Sequence, residues 1–321
     1  MRSLRETSLK FVAALFVSAA VFSASILVLG SCKKQSGGTA EPSGAGAMPS
    51  AQEQTAAAVP EIKGGYAPVN GLKMYYEIHG AGQPLVLIHG AFMSIPAWGD
   101  ILSELAKFRR VIAVELQGHG RTADIDRAFS FEAFADDIAA LMRHLSVDKA
   151  DILGYSLGGG VALQTAFRHP EMVAKLVIVS APAKSDGWHR EVLETISHMK
   201  PEAFDGTPIR LGYDKIAPDP NAFPALVARI KALEAKSYDW SADIARVVTA
   251  PMLIVAGDSD GIRLEHAVEM FRLAGGGVFG DVAGLPRSQL AVLPGTHHVG
   301  VMFRGGWLMP MVKDFLSGPR P

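Results

Sequence analysis

The chain has 321 residues, 49% of them hydrophobic, with 31 Lys and Arg against 32 Asp and Glu and a formal net charge of −1. That length and apolar fraction can build one large core, and so balanced a charge has no excess to recruit a polyanion. Basic residues run no longer than a pair and no aromatic stripe interleaves them, which argues against nucleic-acid binding and for a small, mostly uncharged ligand.

The first ten residues carry Arg2, Arg5 and Lys10, and an unbroken apolar and small-residue stretch follows from Phe11 to Gly30. A charged start followed by an apolar run is an export signal, so residues 1–31 are set outside the fold. Leu29-Gly30-Ser31-Cys32 resembles the lipobox of bacterial lipoproteins, in which the signal is cut before a cysteine that is then lipidated. Cys32 is the only cysteine, which rules out an internal disulfide. The alternative is an uncleaved membrane anchor, since about 20 apolar residues span a bilayer. Either reading tethers the remainder outside the cytoplasmic membrane, at a bacterial cell envelope facing the periplasm or the exterior. Residues 32–65 are rich in Gly, Ser, Ala and Pro and lack hydrophobic periodicity, which predicts a flexible linker.

From Tyr66 onward, apolar runs alternate with helical patterns. "KMYYEIHG" alternates like a half-exposed strand, whereas "PLVLIHG", "RRVIAVEL", "KADILGY" and "VAKLVIVSA" read as buried strands. "APMLIVAGD" and "SQLAVLPG" follow later in the chain. Between them, "SFEAFADDIAALMRHL" is amphipathic, with Ser130 as N-cap and Phe134, Ile138, Leu141 and Leu145 on one face. "LGGGVALQTAFRHP" is a second helix, stopped by proline. Strands alternating with helices predict an α/β class: a mostly parallel twisted sheet with helices on both faces. Residues 182–249 break the alternation with proline-punctuated helical fragments and predict a small helical cap between two core strands.

Gly154-Tyr155-Ser156-Leu157-Gly158 fits G-x-S-x-G between a buried strand and a helix. Small neighbours suit a sharp turn that presents a serine, and the helix start places the Leu157 N–H where an oxyanion would develop. A serine hydroxyl needs a base, and the base needs a carboxylate to fix its tautomer. Further along, "DSD" and "THH" follow two predicted strands, at the same sheet edge as Ser156.

These pieces, "LVLIHGAF", "VELQGHGRT", "GYSLGGG", "GDSD" and "GTHH", stand in the order of the α/β-hydrolases, and residues 66–321 resemble that superfamily. The resemblance implies a serine hydrolase with Ser156 as nucleophile. It implies Asp260 as the acid, with Asp258 as fallback, and His298 as the base, with His297 as fallback. "HGAF" resembles the oxyanion loop, whose second donor is then the backbone N–H of Ala91, or of Phe92 beside it. Glu115 and Thr122 depart from the aspartate and serine common in relatives at positions that are structural there.

Phe92, Trp98, Tyr155 and Trp188 are candidates to line an apolar pocket under the cap, with core packing as the competing role for each. His89 reads as a structural residue, and His169 as a helix-end cation. His297 and His298 lack zinc-site spacing, and Gly275 to Gly280 matches G-x-G-x-x-G after a helix and not a strand, so neither metal nor cofactor is expected. The resulting expectation is cleavage of a carboxylic ester or related acyl bond in a small, largely apolar substrate through an acyl-enzyme. The alternatives are C–C bond hydrolysis, lactone opening or perhydrolysis on the same residues, or a non-catalytic lipid-anchored binding protein.

Overall fold

The computed structural model describes residues 63–246 and 249–318. The N-terminal apolar stretch, Cys32 and the linker up to residue 62 lie outside the described residues. In chain order the described elements are β1 (Lys63–Val69), β2 (Leu72–His79), β3 (Pro84–Ile88), α1 (Asp100–Ala106), β4 (Arg110–Val114), α2 (Phe131–His144), β5 (Ala150–Tyr155), α3 (Leu157–Arg168) and β6 (Val173–Val179). They continue with α4 (Arg190–His198), α5 (Pro208–Ile216), α6 (Phe223–Glu234), α7 (Ser241–Arg246), β7 (Met252–Ser259), α8 (Leu264–Leu273), β8 (Gln289–His297) and α9 (Gly305–Ser317).

The strands form one sheet in the order β1-β2-β4-β3-β5-β6-β7-β8. Pairing is parallel from β4 through β8, and antiparallel where β1 meets β2 and β2 meets β4. Both faces are covered, as parallel strands require. In β3, Val86 and Ile88 point to one core and Leu85 and Leu87 to the other, following the two-residue period of a strand. The first core is closed by α2, α3 and α8 through Phe134, Ile138, Val161 and Met270. The second is closed by α1 and α9 through Leu105, Leu308 and Val312.

Strand β1 lay partly inside the stretch read as linker. Its sequence, "KGGYAPV", is poor in apolar residues, and its order comes from full antiparallel pairing with β2, from Lys63 against Ile78 to Val69 against Leu72. Asn70 and Gly71, at φ 46° and 85°, supply the two-residue turn that suits a hairpin. Ser130 caps α2 by accepting the Ala133 N–H at 3.0 Å. Helices α4 to α7 all fall between β6 and β7, and Phe204, Phe223 and Ile230 of that insertion pack on the first core.

Candidate active site

Ser156 stands between the last residue of β5 and the first of α3, at φ 53° and ψ −119°. No L-residue prefers that region, and holding one there costs on the order of 1–3 kcal/mol. The turn is held by the Ser156 N–H donating to the Val179 carbonyl at 2.9 Å and the Gly159 N–H donating to the Ser156 carbonyl at 2.8 Å. Glycine is obligatory on both flanks: a Cβ on Gly154 would overlap the Gly158 carbonyl, and one on Gly158 the Ile88 carbonyl. The chain therefore turns sharply from strand to helix with the serine at its apex.

His298 follows β8, and its Nε2 lies 3.0 Å from Ser156 Oγ. Its Nδ1 lies 2.7 Å from Asp260 Oδ1. A carboxylate only accepts, so in the neutral ring Nδ1 carries the proton and Nε2 is left to accept from the serine. Asp260 sits just past β7 with its side chain fully buried. Its Oδ1 accepts the Gly261 N–H at 2.6 Å, and its Oδ2 accepts the Gly257 N–H at 3.0 Å and the Ser180 hydroxyl at 2.5 Å. Burial would raise this carboxyl, but His298, Ser180 and the Gly257 N–H outweigh it and hold it below the usual carboxylate range. Ser180, at the end of β6 with φ 53°, had no signal in the sequence.

The two fallback residues hold the loops. Asp258 accepts the Gly295 and Thr296 N–H groups at 2.8 and 3.0 Å, tying the ends of β7 and β8 together. Those two backbone donors hold its carboxyl below the ordinary range. His297 is exposed and accepts the Gly300 N–H on Nδ1 at 3.1 Å. Successive residues at a strand end point to opposite sides, so only His298 meets Ser156.

Ala91 and Leu157 both face the cavity at Ser156, and Leu157 opens α3, where a backbone N–H has no helical partner. Phe92 next to Ala91 is held at φ 63° and packs on Phe204 and Phe223 of the insertion, with ring centroids at 4.9 and 6.2 Å. The cavity measures about 470 Å³ and runs between the sheet edge and the insertion. Phe92, Tyr155 and Trp188 line it, as do Val192, Ile196 and Ile230. Trp98 does not. It ends a short turn leading into α1, is buried among Leu105, Tyr155 and Met309, and belongs to the core on the other face.

The other singled-out residues are structural. His89 is fully buried, its Nδ1 2.7 Å from the Gly90 carbonyl and its Nε2 accepting from Leu116 at 3.2 Å; burial lowers its pKa to about 3. Glu115 takes the Ile95 N–H at 3.2 Å and the Arg121 guanidinium at 2.8 Å, and the Thr122 hydroxyl donates to its carbonyl at 2.7 Å. His169 pairs with Asp136 at 2.9 Å. Residues 275–280 lie after α8, and among the described residues no three His, Cys, Asp or Glu side chains converge as a metal site.

The sheet order, the strand-helix elbow and the strand-end loops are those of the α/β hydrolases. A family profile of the alpha/beta hydrolase fold matches residues 83–246, and the chain belongs to that family. It is 36% identical over 119 residues to a 2-hydroxymuconate semialdehyde hydrolase of Pseudomonas sp. (strain CF600), a match covering 36% of this chain and 42% of that protein. A Mycobacterium tuberculosis relative matches at 35% over 116 residues, covering 36% of this chain and 34% of its own length. The chain thus spans well under two thirds of the curated relatives it matches. Among solved structures, a meta-cleavage product hydrolase from Pseudomonas fluorescens IP01 superposes with a TM-score of 0.60 at 25% identity, over 79% of this chain and 97% of that one.

Proposed function

We propose that this α/β hydrolase cleaves a carboxylic ester or related acyl bond of a small, largely apolar molecule through an acyl-enzyme. The observation that carries the reading is the 3.0 Å approach of His298 Nε2 to Ser156 Oγ, at an elbow facing a mostly apolar cavity. Ser156 Oγ attacks the acyl carbon as His298 Nε2 takes its proton. The carbonyl oxygen becomes an oxyanion, held by the Leu157 and Ala91 N–H groups. The intermediate collapses, the bond to the leaving oxygen breaks, and His298 returns the proton to it. Water then attacks the acyl-serine by the same route, releasing the acid and restoring Ser156. Asp260 keeps Nδ1 protonated and stabilises the imidazolium at each stage.

A second reading, hydrolysis of a C–C bond on the same residues, is favoured by the 2-hydroxymuconate semialdehyde hydrolase and meta-cleavage neighbours. A panel of p-nitrophenyl esters, lactones and vinylogous diketones on the purified domain separates the two. The ester reading predicts turnover of the esters at rates far above the diketones, and the reverse order overturns it.

For the N-terminus we propose lipidation at Cys32 and anchoring at the cell envelope, supported by the lipobox-like Leu29 to Cys32 stretch. Radiolabelled palmitate is expected in the wild-type chain and absent from Cys32→Ser. Equal labelling of both overturns the proposal.

A further inference from the structure

Glu234 is a carboxyl group that the hydrolytic steps above do not use. It is the last residue of α6, where the negative end of the helix dipole disfavours a carboxylate. Four residues before it stands Ile230, which lines the cavity, so Glu234 falls on the same face of the helix and lines the cavity too. Among the described residues no hydrogen bond or ion pair holds its carboxyl. Burial pushes its pKa up to about 7, with His298 pulling the other way. A part-buried carboxyl that faces a ligand cavity without a counter-ion in its wall fits recognition better than packing.

The rest of the wall sharpens this. No Lys or Arg and no second carboxylate lines the cavity among the described residues. The aromatic residues Trp188, Phe92 and Tyr213 line it, and aromatic faces attract cations. A carboxylate-bearing substrate would meet Glu234 with no cation to offset the repulsion, whereas a protonated amine would meet both a carboxylate and ring faces.

We propose that Glu234 sets the specificity of this cavity, selecting acyl substrates that carry an apolar body and a protonated amine and rejecting carboxylates. This rests on the acyl-hydrolase reading for its chemistry, though not for its binding.

The test uses p-nitrophenyl esters of matched length ending in a methyl, an ammonium or a carboxylate group, at about pH 8, where a carboxyl of this kind is ionised. Wild-type protein is expected to show kcat/KM for the ammonium ester about tenfold above the methyl ester, with the carboxylate ester lowest. Glu234→Gln should bring the ammonium-to-methyl ratio close to one. A ratio near one in the wild type, or a ratio unchanged in Glu234→Gln, overturns the proposal. Binding of hexylammonium, hexanol and hexanoate, followed by thermal shift, reads the same preference without turnover. If no ester is cleaved yet hexylammonium alone binds, the acyl-hydrolase reading falls and the role of Glu234 stands. If hexylammonium binds no better than hexanol, the role of Glu234 falls whatever the chemistry.

Discussion

The Tyr155 hydroxyl donates to the main-chain carbonyl of His298 at 3.1 Å, joining two residues 143 positions apart in sequence. The residue just before the serine thereby pins the loop that carries the histidine, and its ring lies 5.3 Å from the imidazole. Burial raises the Tyr155 hydroxyl's pKa far above its ordinary value, so it stays a donor at every working pH. Tyr155→Phe keeps the ring and deletes the donor. Losing one buried hydrogen bond costs about 1–2 kcal/mol, and kcat should fall about tenfold through misplacement of His298. Denaturant melts and steady-state kinetics check this; full kcat with lowered stability would mean that the bond serves the fold alone.

The paired acids divide the work of the β7 loop. Asp260→Asn preserves shape but favours the wrong imidazole tautomer, and kcat is expected to fall about 10³–10⁴-fold. Asp258→Asn should lower the melting temperature by loosening Gly295 and Thr296 and keep most of the activity. Kinetics and melting curves on both variants check the split, and the reverse pattern would exchange the roles.

His298→Ala should lose activity by a similar factor, about 10³-fold or more, because no other imidazole approaches Ser156 Oγ among the described residues. His297→Ala removes an exposed side chain that accepts from Gly300, and its hydrolytic rate should stay within about threefold of wild type. A comparison of initial rates on one ester is sufficient.

Glu234 makes stability depend on pH in an unusual direction for a carboxylate. Its pKa rises from 4.5 to about 7 on folding, so between those values the folded chain binds more protons than the unfolded one. Stability from this group is complete below the lower value and is lost as pH rises through the upper one. Glu234→Gln removes that loss and should stabilise the protein at about pH 8 by roughly 1–3 kcal/mol relative to about pH 4.5. Chemical denaturation of both proteins at the two pH values measures it, and an equal difference at both would show that the burial carries no such penalty.

Strands β3 to β7 announce themselves as apolar runs, because a strand covered on both faces needs apolar residues at successive positions, and β2 shows the alternation of a half-exposed strand. The exception, β1, is an edge strand held by backbone pairing and the Asn70-Gly71 turn, so its side chains carry little signal. The elbow was legible because glycines must flank it. Sequence order left two acids and two histidines in play, since adjacent residues in one loop differ only in where they point, which is a property of the folded backbone. Trp98, a candidate for the pocket as much as for core packing, turns into the opposite core. Ser180 and Glu234 belong to no motif; each matters through what the sheet and the insertion bring beside it.

Activation of Ser156 by His298 is what sets this site apart from a glycine-rich turn. A fluorophosphonate probe, followed by mass spectrometry of the digested protein, tests it directly. Stoichiometric labelling is expected at Ser156 in the folded wild type, lost on unfolding and reduced at least about 100-fold in rate in His298→Ala. A folded wild-type protein that stays unlabelled at Ser156, or one labelled equally fast without His298, would contradict it.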